Sequence, residues 1–487
     1  MKQFLLKGSG IMALVVFMLF FASSCTEGYQ DDWEWTSSVK NVTLESPAAD
    51  NITVNFSADG SKQTITWPLV MGAGGYQVSV YNNDDPDNPV LIGEENEIVD
   101  GITIERPATE DTRYKVVIKA LANEKNNNQE AETPAVKLYD NMLPVTAIIP
   151  NNTNLTEYFT ANPIPGSTTE LCYELEDGGS YTMTGNISQG RTSVTFRSGK
   201  VKHAKITVTD GSFVNGGAGL KFKFLDLDYS NFAGVVNSNA VILMDSNFPT
   251  DGLTSSSYFV VPTTSPISFQ AVKITGLKHY LFFDNNKKYA IGTLLIKDCI
   301  IGQNTNAFAN AQIRFQSGML KDFTAVNSTM YNEVAPSNSS NRFMQISSGN
   351  VTSVKPTMET WANGSFTITN CTFYQMGKTA QSFNSNGAMG LATDKVTIQK
   401  NIFVDCYENG RVISRFRRGN TTAIFAGGEN TQFFNGASFT GSQDVTADVN
   451  YFTADPQLIH LGNGVFTMTG GAQISARTGD PRWLPAQ

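Results

Sequence analysis

One phrase recurs through the second half of this chain, and it restricts the fold more than any other feature. Its clearest copy is Phe366-Thr-Ile-Thr-Asn-Cys-Thr-Phe-Tyr374, in which apolar side chains and Cys recur and an Asn precedes the Cys. Related copies begin at Leu294, Phe323 and Val396, so successive copies are about 29, 43 and 30 residues apart. Fainter copies begin at Ile206 and Leu220. Each is of strand length and rich in β-branched and aromatic residues. A strand of this kind cannot bury its inner face alone, whereas stacked copies share one continuous core. An Asn or Asp at the same corner of each coil lets side chains bond one another and the turn backbone up the stack. The pattern predicts a right-handed parallel β-helix, with coils of roughly 22–30 residues and looped-out insertions. The competing reading is a β-sandwich in which the runs coincide by chance.

Composition narrows the class. Charged residues make up only 16% of the chain, against 41 Gly and 31 Phe, which fits an extracellular all-β protein and argues against a helical one. A net charge of −9 makes nucleic acid an unsuitable partner, and an anionic membrane surface likewise. Lys2 and Lys7 form a charged region ahead of an apolar stretch, residues 11–21, that is too short to span a bilayer comfortably. Ala22-Ser-Ser-Cys25 then matches a lipoprotein signal-peptidase site, with Cys25 as the acylated residue. Residues 1–24 are therefore read as a signal peptide. The remaining cysteines are Cys172, Cys299, Cys371 and Cys406, with no C-x-x-C among them. They are expected to stack inward as small apolar groups rather than pair as disulfides. With only His203, His279 and His460, no zinc framework is visible and no metal site is assigned.

Residues 25–40 read as a tether containing Trp33 and Trp35, and residues 41–140 as a β-sandwich. Its strand candidates include Thr64-Ile-Thr-Trp67, Gly75-Tyr-Gln-Val-Ser-Val-Tyr81 and an alternating run from Arg113 with an early Tyr114. Trp67, Tyr76 and Tyr114 give this segment a resemblance to fibronectin type III domains, which usually act as spacers. Residues 141–154, with Pro144 and Pro150, read as a linker, and residues 155–487 as the β-helix. The chain closes with Gly464-Val-Phe-Thr-Met468 and Gly479-Asp-Pro-Arg-Trp483. From the lipidation signal, the rung phrase and this ending, the chain resembles surface lipoproteins of Bacteroidetes polysaccharide utilisation. These carry a fibronectin-like domain before a pectate-lyase-like β-helix of unknown function. The resemblance implies a lipid-anchored protein of the outer membrane, facing the exterior, with a groove for an extended polysaccharide.

Three chemistries compete. Uronate β-elimination needs a base and a cation. In Arg411-Val-Ile-Ser-Arg415-Phe-Arg417-Arg418, read as a strand, Arg411, Arg415 and Arg417 share one face and can grip carboxylates. The bland reading is a solvated outer strand. Calcium enters only with this activity, and its support is thin: Asp226 and Asp228 share a strand face but read better as ladder or turn residues. Glycoside hydrolysis needs two carboxyls about 5–10 Å apart, and no such pair is legible; Asp251 has no adjacent acid. Glycan binding needs aromatic faces and polar side chains, and Trp361, Tyr374 and Tyr407 lie in or beside the later coils. The run Lys200, Lys202, His203, Lys205 reads as a solvated face. The sequence and the resemblance together lead to a surface lipoprotein that binds a complex polysaccharide for a glycan-uptake system, through Trp361, Tyr374, Tyr407 and Arg411; the resemblance implies a plant cell-wall type of glycan, pectin included. The alternative is a polysaccharide lyase with Arg415 or Arg417 as base or charge neutraliser.

Overall fold

In the computed structural model the described residues are 39–337, 340–347, 361, 363–377, 394–406, 424–434, 436–438 and 450–486. Residues 1–38, with Cys25 and most of the tether, lie outside them. The chain divides into two units, one ending at Met142 and one beginning at Leu143.

The first unit packs two antiparallel sheets around one core. One holds Thr53–Phe56, Lys62–Thr66 and Thr103–Pro107; the other is built on the pair Gly75–Asn82 and Arg113–Leu121. Alternation makes this possible. Along Arg113–Leu121, Tyr114, Val116, Ile118 and Ala120 face inward and are buried, while the intervening residues are half-buried. Trp67 and Tyr76 meet edge to face at 5.4 Å in the same core. The Tyr114 hydroxyl accepts from the Thr109 N–H (2.7 Å) and donates to its carbonyl (3.0 Å), tying a loop to the strand that follows it.

The second unit is a coil of parallel strands. Among the described residues its three sheets hold eleven, ten and six strands, with one terminal strand of the second sheet antiparallel. The recurring phrase sets the register. Leu294, Phe323, Phe366 and Val396, its four first residues, stack as direct partners. The same inward row continues upstream through Ile267, Leu220, Val194 and Leu171, the Leu220 phrase included. The Ile206 phrase belongs instead to the second sheet. The next inward row carries aromatic rings face to face. Tyr173, Phe196, Phe222 and Phe269 follow one another at 5.8, 5.8 and 5.4 Å. Stacked rings of this kind add about 1 kcal/mol each beyond the area they bury.

Between the first and second sheets seven successive coils, from the one that starts at Leu220, each turn on one left-handed residue: Phe224, Ala271, Asp298, Asn327, Asn370, Lys400 and Glu429, with φ between 49° and 58°. Asn and Asp tolerate this conformation best, which explains the polar residue seen before Cys. The ladder bonds run mainly through the following position. Cys299 N–H donates to the Ser328 hydroxyl (3.0 Å), Cys371 N–H to the Asn401 side-chain Oδ1 (2.9 Å), and Asn401 N–H to the Asn430 side-chain Oδ1 (3.0 Å). These side chains are buried, so each N–H would otherwise go unsatisfied. The four cysteines of the second unit are free thiols and buried, as the rung places of Cys299, Cys371 and Cys406 suggested. Burial pushes the Cys299 thiol up to about 12.

The stretch expected as linker is partly structured. Ala147–Ile149 is already a strand of the first sheet, paired with Leu171–Leu175, because its run of apolar residues, with Ile149 buried, completes that sheet's edge. Asn154 then caps a short helix, Leu155–Ala161, through a bond from the Thr156 N–H (3.0 Å).

Candidate functional site

Two outer faces of the β-helix carry groups capable of chemistry. On the third sheet, Leu243, Phe283, Arg314 and Gln345 form one row up successive coils. Tyr280 and Phe283 stack at 4.4 Å, and Phe308 closes over them. All three rings are buried, so they form a packed floor and not a platform for sugar. The guanidinium of Arg314 lies over Phe283 at 5.9 Å. It donates to the Tyr280 hydroxyl (3.2 Å) and to the Asn310 side-chain oxygen. No described carboxylate pairs with it. Arg342, on the following coil, stands close enough to Arg314 to feel its charge. Burial first, and then that like charge, pull Arg342 below its ordinary arginine value. Two half-buried guanidiniums on neighbouring coils, near enough to feel each other's charge, suit an anion, because Arg presents fixed forks of donors.

On the second sheet, Ser180, Lys205, Asp226, Lys273 and Ile300 form one outward row. Asp226 accepts His203 Nδ1 at 3.0 Å, and Asp228 pairs with Lys205 at 2.9 Å. Burial raises the Asp228 carboxyl, but bonds from Lys205 and Ser230 outweigh it and hold the group below its ordinary value. A depression of about 390 Å³ opens here, lined by His203, Asp226, Lys273, Asp298, Ile300 and Arg482 among others.

Further up the same sheet the C-terminal segment lies across the face. Its hairpin, Leu458–Gly462 with Val465–Met468, brings His460 against Tyr331, Tyr374 and Phe466 at 5.1, 5.3 and 4.5 Å. Asp480 then accepts the Thr329 hydroxyl (2.7 Å), and its N–H donates to Thr372 (3.0 Å). Arg482 pairs with Asp480 and donates to the carbonyls of Asp298 (2.9 Å), Cys299 (2.6 Å) and Asn327 (3.0 Å). The Gly-Asp-Pro-Arg-Trp ending is thus a clasp over three coils.

The residues nominated from sequence fare unevenly. Trp361 is 3% exposed, enclosed by Tyr258, Ala290 and Met319, so it offers no face to a sugar. Its bulk fills a gap outside the first sheet. Tyr374 is half-buried and packs on His460 and Phe466, and burial raises its phenol above the ordinary value. It too has its ring engaged. Tyr407, Arg411, Arg415 and Arg417 lie outside the described residues. Asp251 is held by Arg191 through two bonds (3.0 and 2.7 Å). Sequence reasoning missed Arg314, Arg342, Lys273 and the pairing of His203 with Asp226. Isolated cations and partners 23 residues apart carry no motif.

Three family models match the chain, each described as a domain of unknown function: DUF4992 over residues 2–180, DUF4957 over 179–333 and DUF5123 over 366–483. No curated protein matches. Among solved structures the chain is similar to pectate lyase PelI from Erwinia chrysanthemi, in complex with tetragalacturonic acid. Identity is 10%, coverage 61% of this chain and 84% of that one, and the TM-score 0.14. A second PelI structure matches at 10% identity over 83% of this chain and 98% of that one, with a TM-score of 0.15. Pectate lyase Pel3 from Pectobacterium carotovorum matches at 8% identity over 61% and 84%, with a TM-score of 0.13. TM-scores of this size carry no weight for shared activity.

Proposed function

We propose that this chain binds an anionic polysaccharide along the third-sheet face of its β-helix, as a lipid-anchored surface protein of a glycan-uptake system. The observation that supports this most is Arg314, half-buried on the third sheet, held by Tyr280 and Asn310 and lacking any carboxylate partner among the described residues, with the charge of Arg342 on the following coil near enough to interact. Like charges held together favour an incoming anion, and stacked coils repeat at a spacing that suits an extended polymer. Cys25 supplies the anchor in this reading, and the fibronectin-like first unit acts as a spacer. The test is affinity electrophoresis and calorimetry with uronic-acid polysaccharides. Arg314→Ala should weaken binding about tenfold, as loss of a charge-assisted bond does. Unchanged binding in an Arg314→Ala, Arg342→Ala double variant would sink the assignment. A time-dependent rise in ultraviolet absorbance from an unsaturated uronate would instead support the lyase alternative.

A further inference from the structure

The second-sheet depression has a different chemistry from the arginine face, and its polar atoms are not all engaged. Lys273 is half-buried there and makes no hydrogen bond or ion pair among the described residues. It stands between two carboxylates already committed elsewhere. Asp226 accepts His203 through Oδ1 (3.0 Å), and Asp298 accepts the Asn327 amide through Oδ1 (3.1 Å). The second oxygen of each faces no described partner. His203 Nε2 likewise has no hydrogen-bond partner among the described residues. Arg482, at the edge, is saturated by Asp480 and three backbone carbonyls, so it is wall and not ligand. The floor is apolar, with Val201, Ala271, Val272 and Ile300.

This set holds two acceptors, one strong donor and one imidazole nitrogen above an apolar floor. An anionic sugar would meet two carboxylates against one free ammonium. A neutral sugar meets no such penalty: vicinal hydroxyls can donate to the carboxylates while a ring or hydroxyl oxygen accepts from Lys273. The volume of about 390 Å³ falls within the range of small-ligand clefts. We infer that the depression lined by His203, Asp226, Lys273 and Asp298 is a second carbohydrate subsite, specific for an uncharged sugar residue. The inference rests on the glycan-binding reading above and extends it. One face takes the acidic part of a polysaccharide and the other a neutral residue, so the protein recognises a polymer that contains both.

The three histidines make the test site-specific, since the chain holds only His203, His279 and His460. Imidazole proton resonances of the full chain are followed during titration with neutral xylo-, gluco-, galacto- and arabino-oligosaccharides. His203→Gln identifies the His203 signal. The expected result is a saturable shift of that signal with at least one neutral series. Lys273→Ala and Asp226→Asn should each weaken it about tenfold, leaving calorimetric binding of polygalacturonate unchanged. Arg314→Ala should do the reverse. If no neutral oligosaccharide moves the His203 signal while polygalacturonate still binds, this inference falls alone. If neutral sugars bind through Lys273 and polygalacturonate does not bind, the acidic-glycan reading falls alone. Failure of both ligands overturns both.

Discussion

The early and late coils of the second sheet share one rise and one register, yet they present opposite outer surfaces. In the early coils, Lys205, Asp226, Asp228 and Lys273 stand on an open face. In the late coils, Thr329, Tyr331, Thr372 and Tyr374 lie under the hairpin and the Asp480–Arg482 clasp. The repeat alone therefore does not decide where a ligand sits. It supplies a flat, regular face at both ends, and a non-repeating segment removes one end from solvent. The same division appears at the inner corner. Early coils place Leu225 and Val272 there, and late coils place Ser328, Asn401 and Asn430, which bond to the backbone.

The strongest way to break this contrast is to open the clasp. Asp480 is buried, and the ion pair to Arg482 holds it against a burial that raises its carboxyl above the ordinary value. Arg482→Ala leaves that carboxyl buried without its cation and should cost about 3 kcal/mol. The check is hydrogen exchange: amides of the late coils should lose protection while those of the early coils keep it. Equal loss in both would mean that the clasp stabilises the whole coil.

A second test lies in the early part. Asp284 accepts the N–H groups of Ser317 (2.7 Å), Gly318 (2.6 Å) and Asn286 (3.1 Å), yet burial dominates and pushes its carboxyl up to about 6. A folded value above the unfolded one favours the protonated state on folding. That contribution is complete below about pH 4 and is lost as pH rises through about 6, a swing of about 3 kcal/mol. Thermal unfolding of the β-helix should show it, and Asp284→Asn should flatten the slope between pH 4 and 7 while lowering stability throughout.

Smaller effects sharpen the corner comparison. Asn401→Ala strands the Cys371 N–H and should cost about 2 kcal/mol by chemical denaturation. Val272→Ala in the equivalent early position should cost about 1–2 kcal/mol through lost packing alone. Last, Lys205→Ala on the open face should change stability by no more than about 0.5 kcal/mol, because Lys205 is half exposed and Asp228 keeps the bond from the Ser230 N–H. A larger loss would show that the open face is structural.

Much of the architecture was readable because it repeats. Four copies of one phrase gave four rungs in register, and the strand faces followed from alternation at period two. The rungs starting at Val194 and Ile267 escaped notice because Ser198-Gly199 and Ala271-Val272 stand where the Asn-Cys pair would be, without breaking the pleat. The candidate sites were harder. Stacking brings His203 to Asp226 and Arg314 to Arg342 from different coils, whose separation depends on insertion length and not on any local rule. Trp361 misled for a related reason: an aromatic beside a rung reads as a platform until the neighbour that covers it is known. The clasp was visible as a motif, but its partners, some 150 residues upstream, were not.

That distance has a consequence for the order of events when the molecule is made. Asp480 and Thr329 are 151 positions apart, so the late coils exist as chain long before the residues that fasten them. Until those residues arrive, Thr329, Tyr331 and Tyr374 are uncovered and the sheet they belong to has no lid. Contacts of such long sequence separation form late and slowly. The last step of folding is therefore the one that decides which half of the sheet stays open to the outside world, and a chain interrupted before that step carries two open faces in place of one.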